Sequence, residues 1–269
     1  GRLRGETRMK GLYIAASGMA AQEMNVELIS NNIANMRTTG FKRQRVDFQD
    51  LLYQDMRRVG TQTSESGNIL PTGVQIGSGV RAAATPRIMS QGTLSSTEKE
   101  TDVAIRGEGF FRILLPDGRT AYTRDGSFEL DATGTLCTAD GYPVQPTITV
   151  PANSTGFTVN SQGVVQVTVG NATAPTTLGQ IQLARFVNKS GLDAIGNNLF
   201  LETASSGAPQ TANPGDEGYG TLLQNQLEQG NVNSVTEISD LIAAQRAYEM
   251  NSRVIRAADE MMSATVTPK

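Results

Sequence analysis

Apolar residues return at helical spacing at both ends of the chain and at period two between them. Over residues 10–36, Leu12, Met19, Val26 and Ile33 recur every seven positions, Ala15, Ile29 and Met36 fill the intervening places, and Gln22 is the one polar interruption. That spacing predicts an α-helix about 40 Å long with a coiled-coil seam, and it puts Glu23, Asn25, Glu27, Asn31 and Asn32 on the other faces. A second periodic segment opens on Ser234-Val235-Thr236-Glu237, a capping-box pattern, and extends to about Ala264. Here Leu241, Tyr248, Ile255 and Met262 repeat every seven, Ile238 leads the row, and Val235 with Ile242 widens it. A narrower row of Ala243, Ala247, Met250, Val254, Ala258 and Met261 makes this helix apolar on more than one side, which calls for more than one helical neighbour.

Between the helices the pattern is that of strands and tight turns. Residues 102–107 and 110–114 lead into Pro116-Asp117-Gly118, and 120–123 leads into Arg124-Asp125-Gly126, which reads as successive hairpins. Further strand-like runs fall at 127–130, 147–150, 157–160, 164–169, 178–186 and 198–202. The stretches 57–79 and 204–219 are rich in Gly, Ser, Thr and Pro and carry little periodicity; a short amphipathic turn over 48–53 precedes the first. The expected organisation is α+β. Residues 9–56 with 220–269 form a coiled-coil-like helical inner domain, 57–79 a connector, 80–203 a central antiparallel all-β domain and 204–219 a return linker. Residues 1–8 read as a tag or an upstream extension ahead of Met9.

Composition narrows the chemistry. The 269 residues include 28 glycines, no tryptophan and 5% aromatics, a mixture that suits short strands and turns. A formal charge of -3 gives no electrostatic reason to hold nucleic acid or an anionic membrane. With no histidine, Ser-His-Asp and Cys-His nucleophiles and His-ligated metals are excluded. The lone Cys137 has no second thiol to pair with, and reads as a small buried side chain. No apolar run approaches the ~18 residues of a membrane span, and residues 1–8 have no hydrophobic stretch behind their charges, so neither a span nor a cleaved secretory signal is expected.

The motifs that suggest a site have simpler readings. Gly107-Glu108-Gly109 has Arg112 where a dinucleotide fingerprint needs its third glycine, and the glycines of 73–79 lack the lysine of a phosphate loop. Asp117, Asp125, Asp131 and Asp140 sit in turn sequence, where Asp caps its own backbone. The basic stretch 37–45 holds a single aromatic, Phe41, and is followed by Asp47 and Asp50, which suits a solvated turn or a subunit contact. No catalytic, cofactor or metal site is predicted. The helical stripes do demand an explanation, because exposed apolar area costs about 25 cal/mol for each Å² left in water. Pairing of the two helices within one molecule would satisfy both stripes and give a monomer with a helical stalk on a β body. The additional row on the C-terminal helix leaves apolar surface after one pairing, which a head-to-tail contact that does not close into a ring covers by building a filament.

Four segments in order carry a family resemblance: Ala16-Ser17-Gly18-Met19; Asn31-Asn32-Ile33-Ala34-Asn35 followed by Thr38-Thr39-Gly40-Phe41-Lys42; the run from Asp102 to Phe111; and Gln245-Arg246-Ala247-Tyr248-Glu249-Met250-Asn251. Together they resemble the bacterial flagellar axial proteins, the rod and hook subunits, and the likeness extends from Met9 onward. Leu70-Pro71-Thr72-Gly73-Val74-Gln75-Ile76-Gly77-Ser78-Gly79 is similar to the connector of distal rod subunits, as is Tyr122-Thr123-Arg124-Asp125-Gly126-Ser127-Phe128 to their β region. The resemblance implies that both terminal helices pack into an inner tube around an export channel, that the β domain forms an outer layer, and that the connector holds the tube straight while it conducts motor torque. It implies inter-subunit roles for Leu12, Met19, Val26, Ile33, Ile238, Leu241, Tyr248, Ile255 and Met262. Family-motif roles fall to Asn32, Asn35, Thr38, Gly40, Phe41 and Lys42, and connector roles to Leu70, Pro71, Gly73, Gly77 and Gly79. The implied partners are further copies of the chain, proximal rod proteins, the hook protein, the outer-ring bushing, a rod-cap muramidase and the flagellar type III export apparatus. Nucleic acid and small-molecule substrates are not among them. The implied location is the basal body in the periplasm, reached without a cleaved signal. Two other readings stay open: a sibling axial subunit of proximal rod or hook, and a cell-wall glycan enzyme built on Asp pairs.

Overall fold

The computed structural model describes residues 2–57, 74–170, 172 and 174–266, and of these the side chains of 11–53, 77–170, 172, 174–261 and 263. The chain divides into two compact units. One comprises Gly1–Ile33, Gln44–Pro86 and Ser234–Lys269, the other Ala34–Arg43 and Arg87–Asn233.

The first unit contains helices α1 (Arg2–Ala34) and α2 (Ser234–Val266). Neither contains a proline, and α1 stops before the Thr-Thr-Gly turn in which Thr38 N–H donates to the Asn35 carbonyl at 3.0 Å. A β ribbon completes the unit: Asp47–Asp50 pairs antiparallel with Val80–Ala84, and Gln54–Arg57 with Val74–Ile76. The turn expected over 48–53 is thus partly a strand, with Phe48 opposite Ala82, and Val80–Ala84 lies here and not in the β unit.

The helices run antiparallel side by side. Asn32 near the end of α1 hydrogen-bonds Glu237 near the start of α2, while a Cβ on Gly18 would come within 2.9 Å of Asn251 Nδ2. This overturns the coiled-coil-like inner domain. A knobs-into-holes seam buries its apolar a and d residues, yet of the nine predicted seam positions none of the eight with described side chains is fully buried. Leu12, Met19, Val26, Ile33, Leu241 and Ile255 are half-buried, and Tyr248 and Ile238 are 39% and 48% exposed; the Met262 side chain lies outside the described residues. The residues that are buried are Ala15, Ala21, Ile29 and Asn32 on α1, and Glu237 and Ala244 on α2. Small and polar side chains at the contact let the helices meet through a hydrogen bond and close approach, so two single helices replace a continuous apolar core.

The second unit is antiparallel β throughout its described strand pairs. Its seven-stranded sheet has the order Asp193–Gly196, Leu199–Leu201, Thr120–Thr123, Phe110–Leu114, Leu183–Arg185 and Gln210–Ala212, with Val144–Gln145 also on Phe110–Leu114. A three-stranded sheet joins Ser154–Val159, Val164–Val169 and Thr176–Gln180. Because successive strand residues point to opposite faces, Phe111 enters one core with Ile105, Ile113, Phe128, Leu136 and Leu183, while Phe110 enters a second with Tyr122, Phe186 and Phe200. The second core is organised by edge-to-face rings, with Tyr122 and Phe186 centroids 4.7 Å apart.

One expected hairpin is absent. Phe110–Leu114 and Thr120–Thr123 do pair, but Val103–Arg106 turns away at Gly107 (φ 110°) and Gly109 (φ 139°) and pairs with Thr221–Gln224. Leu94–Ser96 likewise pairs with Gln226–Glu228. Residues 220–233 and 34–43, expected with the helices, therefore belong to the β unit, where they supply ladder partners and buried side chains.

Candidate functional site

Two features of the fold gather the residues that the sequence singled out. The first is the segment after α1. In the helical unit Asn32 is 2% exposed and fully used: Nδ2 donates to the Gln44 carbonyl at 2.8 Å and to Glu237 Oε2 at 3.1 Å, and Oδ1 accepts from Gln44 N–H at 3.0 Å. In the β unit Asn35 Oδ1 accepts from the Thr38 hydroxyl at 3.2 Å, and Asn198 Nδ2 donates to the Thr39 carbonyl at 2.8 Å. Gly40 adopts φ 69°, and a Cβ there would lie 2.6 Å from Asp125 N, so this close passage requires glycine. Phe41 is buried behind it.

Lys42 ends the segment at 1% exposure. Its ammonium donates to Glu228 Oε1 at 2.5 Å and to the Ser90 carbonyl at 2.7 Å. Glu228, with no exposure, also accepts from Gly92 N–H at 2.8 Å and takes Arg124 Nε and Nη2 on Oε2 at 2.8 Å each. Arg124 Nη1 completes its set on the carbonyls of Gly107 and Gly109, at 2.8 and 2.7 Å. Two buried cations thus share one buried anion. Arg124 and Glu228 had no role assigned from sequence; the similarity of 122–128 to rod subunits was the one signal for Arg124, and Glu228 carried none.

Burial pulls the Lys42 ammonium below its ordinary 10.5, against the upward pull of Glu228 and with a further downward push from Arg124. The unfolded chain therefore keeps this proton to higher pH than the folded one. The resulting cost to stability is full below the folded value and is relieved as pH rises from it towards 10.5. Against Lys42→Met, the wild type is expected to gain relative stability across that window in denaturant titrations; a pH-independent difference would rule out the shift.

The second feature is the outer flank of α2. Val235, Ile242, Met250, Val254 and Met261 are 73%, 45%, 60%, 52% and 56% exposed. At about 100° per residue they fall on the face away from Glu237, Ala244 and Asn251, the residues turned towards α1. The narrow row read from sequence is therefore only partly this stripe: Met250, Val254 and Met261 belong to it, whereas Ala258 is half-buried. On α2 it is this open stripe, and not the half-buried Leu241 and Ile255, that leaves contiguous apolar surface uncovered among the described residues.

Of the connector residues, Leu70, Pro71 and Gly73 lie outside the described residues. A Cβ on Gly77 would meet the Tyr53 ring at an ordinary 3.4 Å. Gly79 is more demanding: φ is 115°, a Cβ would come within 2.3 Å of Ser17 Oγ, and that hydroxyl accepts from Val80 N–H at 3.3 Å. Gly79→Ala is expected to lower stability by on the order of 1–3 kcal/mol from backbone strain alone. Adding Ser17→Ala should recover only the part due to the clash, as read from urea midpoints. Equal stability of Gly79→Ala and wild type would show that the ribbon does not need this approach to α1.

Asp117, Asp125 and Asp131 cap their own turns as expected, whereas Asp140 bonds a side chain 57 positions away. Asp117 accepts from Arg119 N–H at 2.9 Å, Asp125 from Ser127 N–H at 3.0 Å, Asp131 from the N–H groups of Thr133 and Thr135 at 2.8 Å, and Asp140 from Asn197 Nδ2 at 3.1 Å. Burial raises Asp125 above the usual carboxylate range, while hydrogen bonds from the Thr133 hydroxyl and from backbone N–H groups lower Asp131.

One unit is a helix pair with an open apolar flank, and the other is a β unit in which Asp117, Asp125 and Asp131 cap turns. Comparison with known sequences gives the family. Residues 12–42 match the flagella basal body rod protein profile, 104–167 the flagellar hook protein FlgE/F/G D1 domain, and 223–267 the flagellar basal body rod FlgEFG protein C-terminal region. The chain is 58% identical over 257 residues to the flagellar basal-body rod protein FlgG of Caulobacter vibrioides, covering 96% of this chain and 98% of that one. It is 49% identical over 251 residues to each of the FlgG proteins of Buchnera aphidicola from Schizaphis graminum and from Acyrthosiphon pisum, covering 93% of this chain and 96% of each. The chain belongs to the flagellar basal-body rod protein family, as a structural component and not an enzyme. The glycan-enzyme reading is thereby set aside.

Proposed function

We propose that the chain is the subunit of the distal rod: copies assemble end on and side by side into a straight hollow shaft that conducts motor torque towards the hook and encloses the channel for exported proteins. The observation that carries this reading is the exposed apolar stripe of α2, which a soluble monomer has no reason to leave uncovered. Near-complete coverage of proteins named FlgG favours the distal rod over a proximal rod or hook sibling. The terminal helices form the assembly region, the β unit the surrounding layer, and residues 57–79 a spacer that keeps the shaft straight. Proximal rod proteins, the hook protein, the outer-ring bushing and a rod-cap muramidase are the neighbours in this reading. Delivery is by the flagellar type III export apparatus, and the shaft crosses the periplasm. Electron microscopy of the purified chain at rising concentration tests the central point: straight tubes are expected, and a monomer at every concentration would overturn it.

A further inference from the structure

The two helices of the first unit enclose a groove of about 470 Å³ lined by Glu23 and Val26 of α1 and by Gln245, Tyr248 and Glu249 of α2. Most of its lining surface is apolar, and the two carboxylates in it are exposed. Neither Glu23 nor Glu249 has a hydrogen-bond or ion-pair partner among the described residues. An apolar groove with two acids that form no ion pair among the described residues selects an occupant with a hydrophobic body and cationic ends.

The chain presents such an element on another face of α2. Arg246, Met250, Arg253 and Val254 lie at i, i+4, i+7 and i+8, so at about 100° per residue they share one side of the helix. Met250 and Val254 are among its most exposed apolar residues, and Arg246 and Arg253 are exposed with no partner among the described residues. A straight helix cannot lay this stripe into a groove that it walls with Tyr248 and Glu249 itself, so a second molecule must supply it.

We infer that the Glu23/Glu249 groove of one copy receives the Arg246–Val254 stripe of the next. The inference rests on the self-assembly reading and adds to it the two surfaces that meet. Because groove and stripe are different patches, each contact leaves one of each free, so the association extends beyond a pair and builds a filament where the rotation between copies does not close a ring. The arginines pair with the carboxylates while Met250 and Val254 cover Val26 and the Tyr248 ring.

The test uses the full chain and measures the critical concentration for assembly by sedimentation, with circular dichroism to check that each monomer keeps its helicity. Glu23→Arg and Arg253→Glu should each raise the critical concentration about tenfold or more, since like charges are then juxtaposed. Glu23→Gln should raise it less, and the double variant Glu23→Arg/Arg253→Glu should recover most of the loss. Raising salt should weaken wild-type assembly and the rescue together. Normal assembly of both single variants would remove the groove as a contact while leaving self-assembly intact. Single variants that fail without rescue in the double variant would overturn the pairing. A wild type that never assembles would overturn the groove and self-assembly alike.

Discussion

Glu228→Leu is expected to destabilise the β unit by about 3–5 kcal/mol, because it leaves the Lys42 and Arg124 cations buried together with no anion between them. For a chain of this size that corresponds to a fall in melting temperature of roughly 6–20 °C. The comparison that gives the result meaning is Lys42→Met. That change removes one cation and leaves Glu228 held by Arg124 Nε and Nη2, so it should be far milder. Similar losses for the two variants would show that charge balance is not what Glu228 supplies. The fold explains why so large an effect sits at one residue: Glu228 also accepts Gly92 N–H through its side chain, while its carbonyl accepts Gly40 N–H at 2.7 Å. It therefore ties the segment after α1 to two distant parts of the β unit.

The second large effect is on assembly. Val254→Asp is expected to abolish tube formation, raising the critical concentration by about 100-fold or more, since burying an unpaired charge in a contact costs several kcal/mol and ~1.4 kcal/mol is tenfold in affinity. Val254 is 52% exposed, so the monomer should retain its helicity and melting point. The same substitution at Leu241 or Ile255 is a poorer probe. These residues are half-buried within the first unit, and a charge there would destabilise the monomer before it meets a neighbour. Unimpaired motility of cells carrying Val254→Asp would remove the stripe from the assembly surface.

Much of the secondary structure was legible in order. The capping-box pattern opens α2 at Ser234, and the apolar repeats bound α2 and the end of α1 closely, because helical periodicity is a local property of consecutive side chains; α1 itself begins at Arg2, in the residues read as a tag or extension. The hairpin around Pro116-Asp117-Gly118 was legible for the same reason. The Val103–Arg106 pairing was not: Gly107 and Gly109 make the expected turn, but the strand partner lies more than a hundred residues away at Thr221–Gln224. The coiled-coil seam failed differently. A heptad row shows that a face is apolar, and says nothing about whether that face or a neighbouring one of Ala15, Asn32, Glu237 and Ala244 meets the partner helix.

Residue identity and spacing by themselves therefore determined the two helical segments and the local hairpins, that histidine chemistry is absent, and that the terminal helices carry more apolar surface than one pairing covers. The tertiary structure alone decided which row of each helix faces the other and which stays open. It also decided that Lys42, in a basic stretch read as a solvated turn or a subunit contact, is buried against Glu228 of its own chain. The reason is physical: local pattern governs backbone conformation, whereas the burial of a charge depends on a partner brought from 186 positions away, and only the folded chain supplies it.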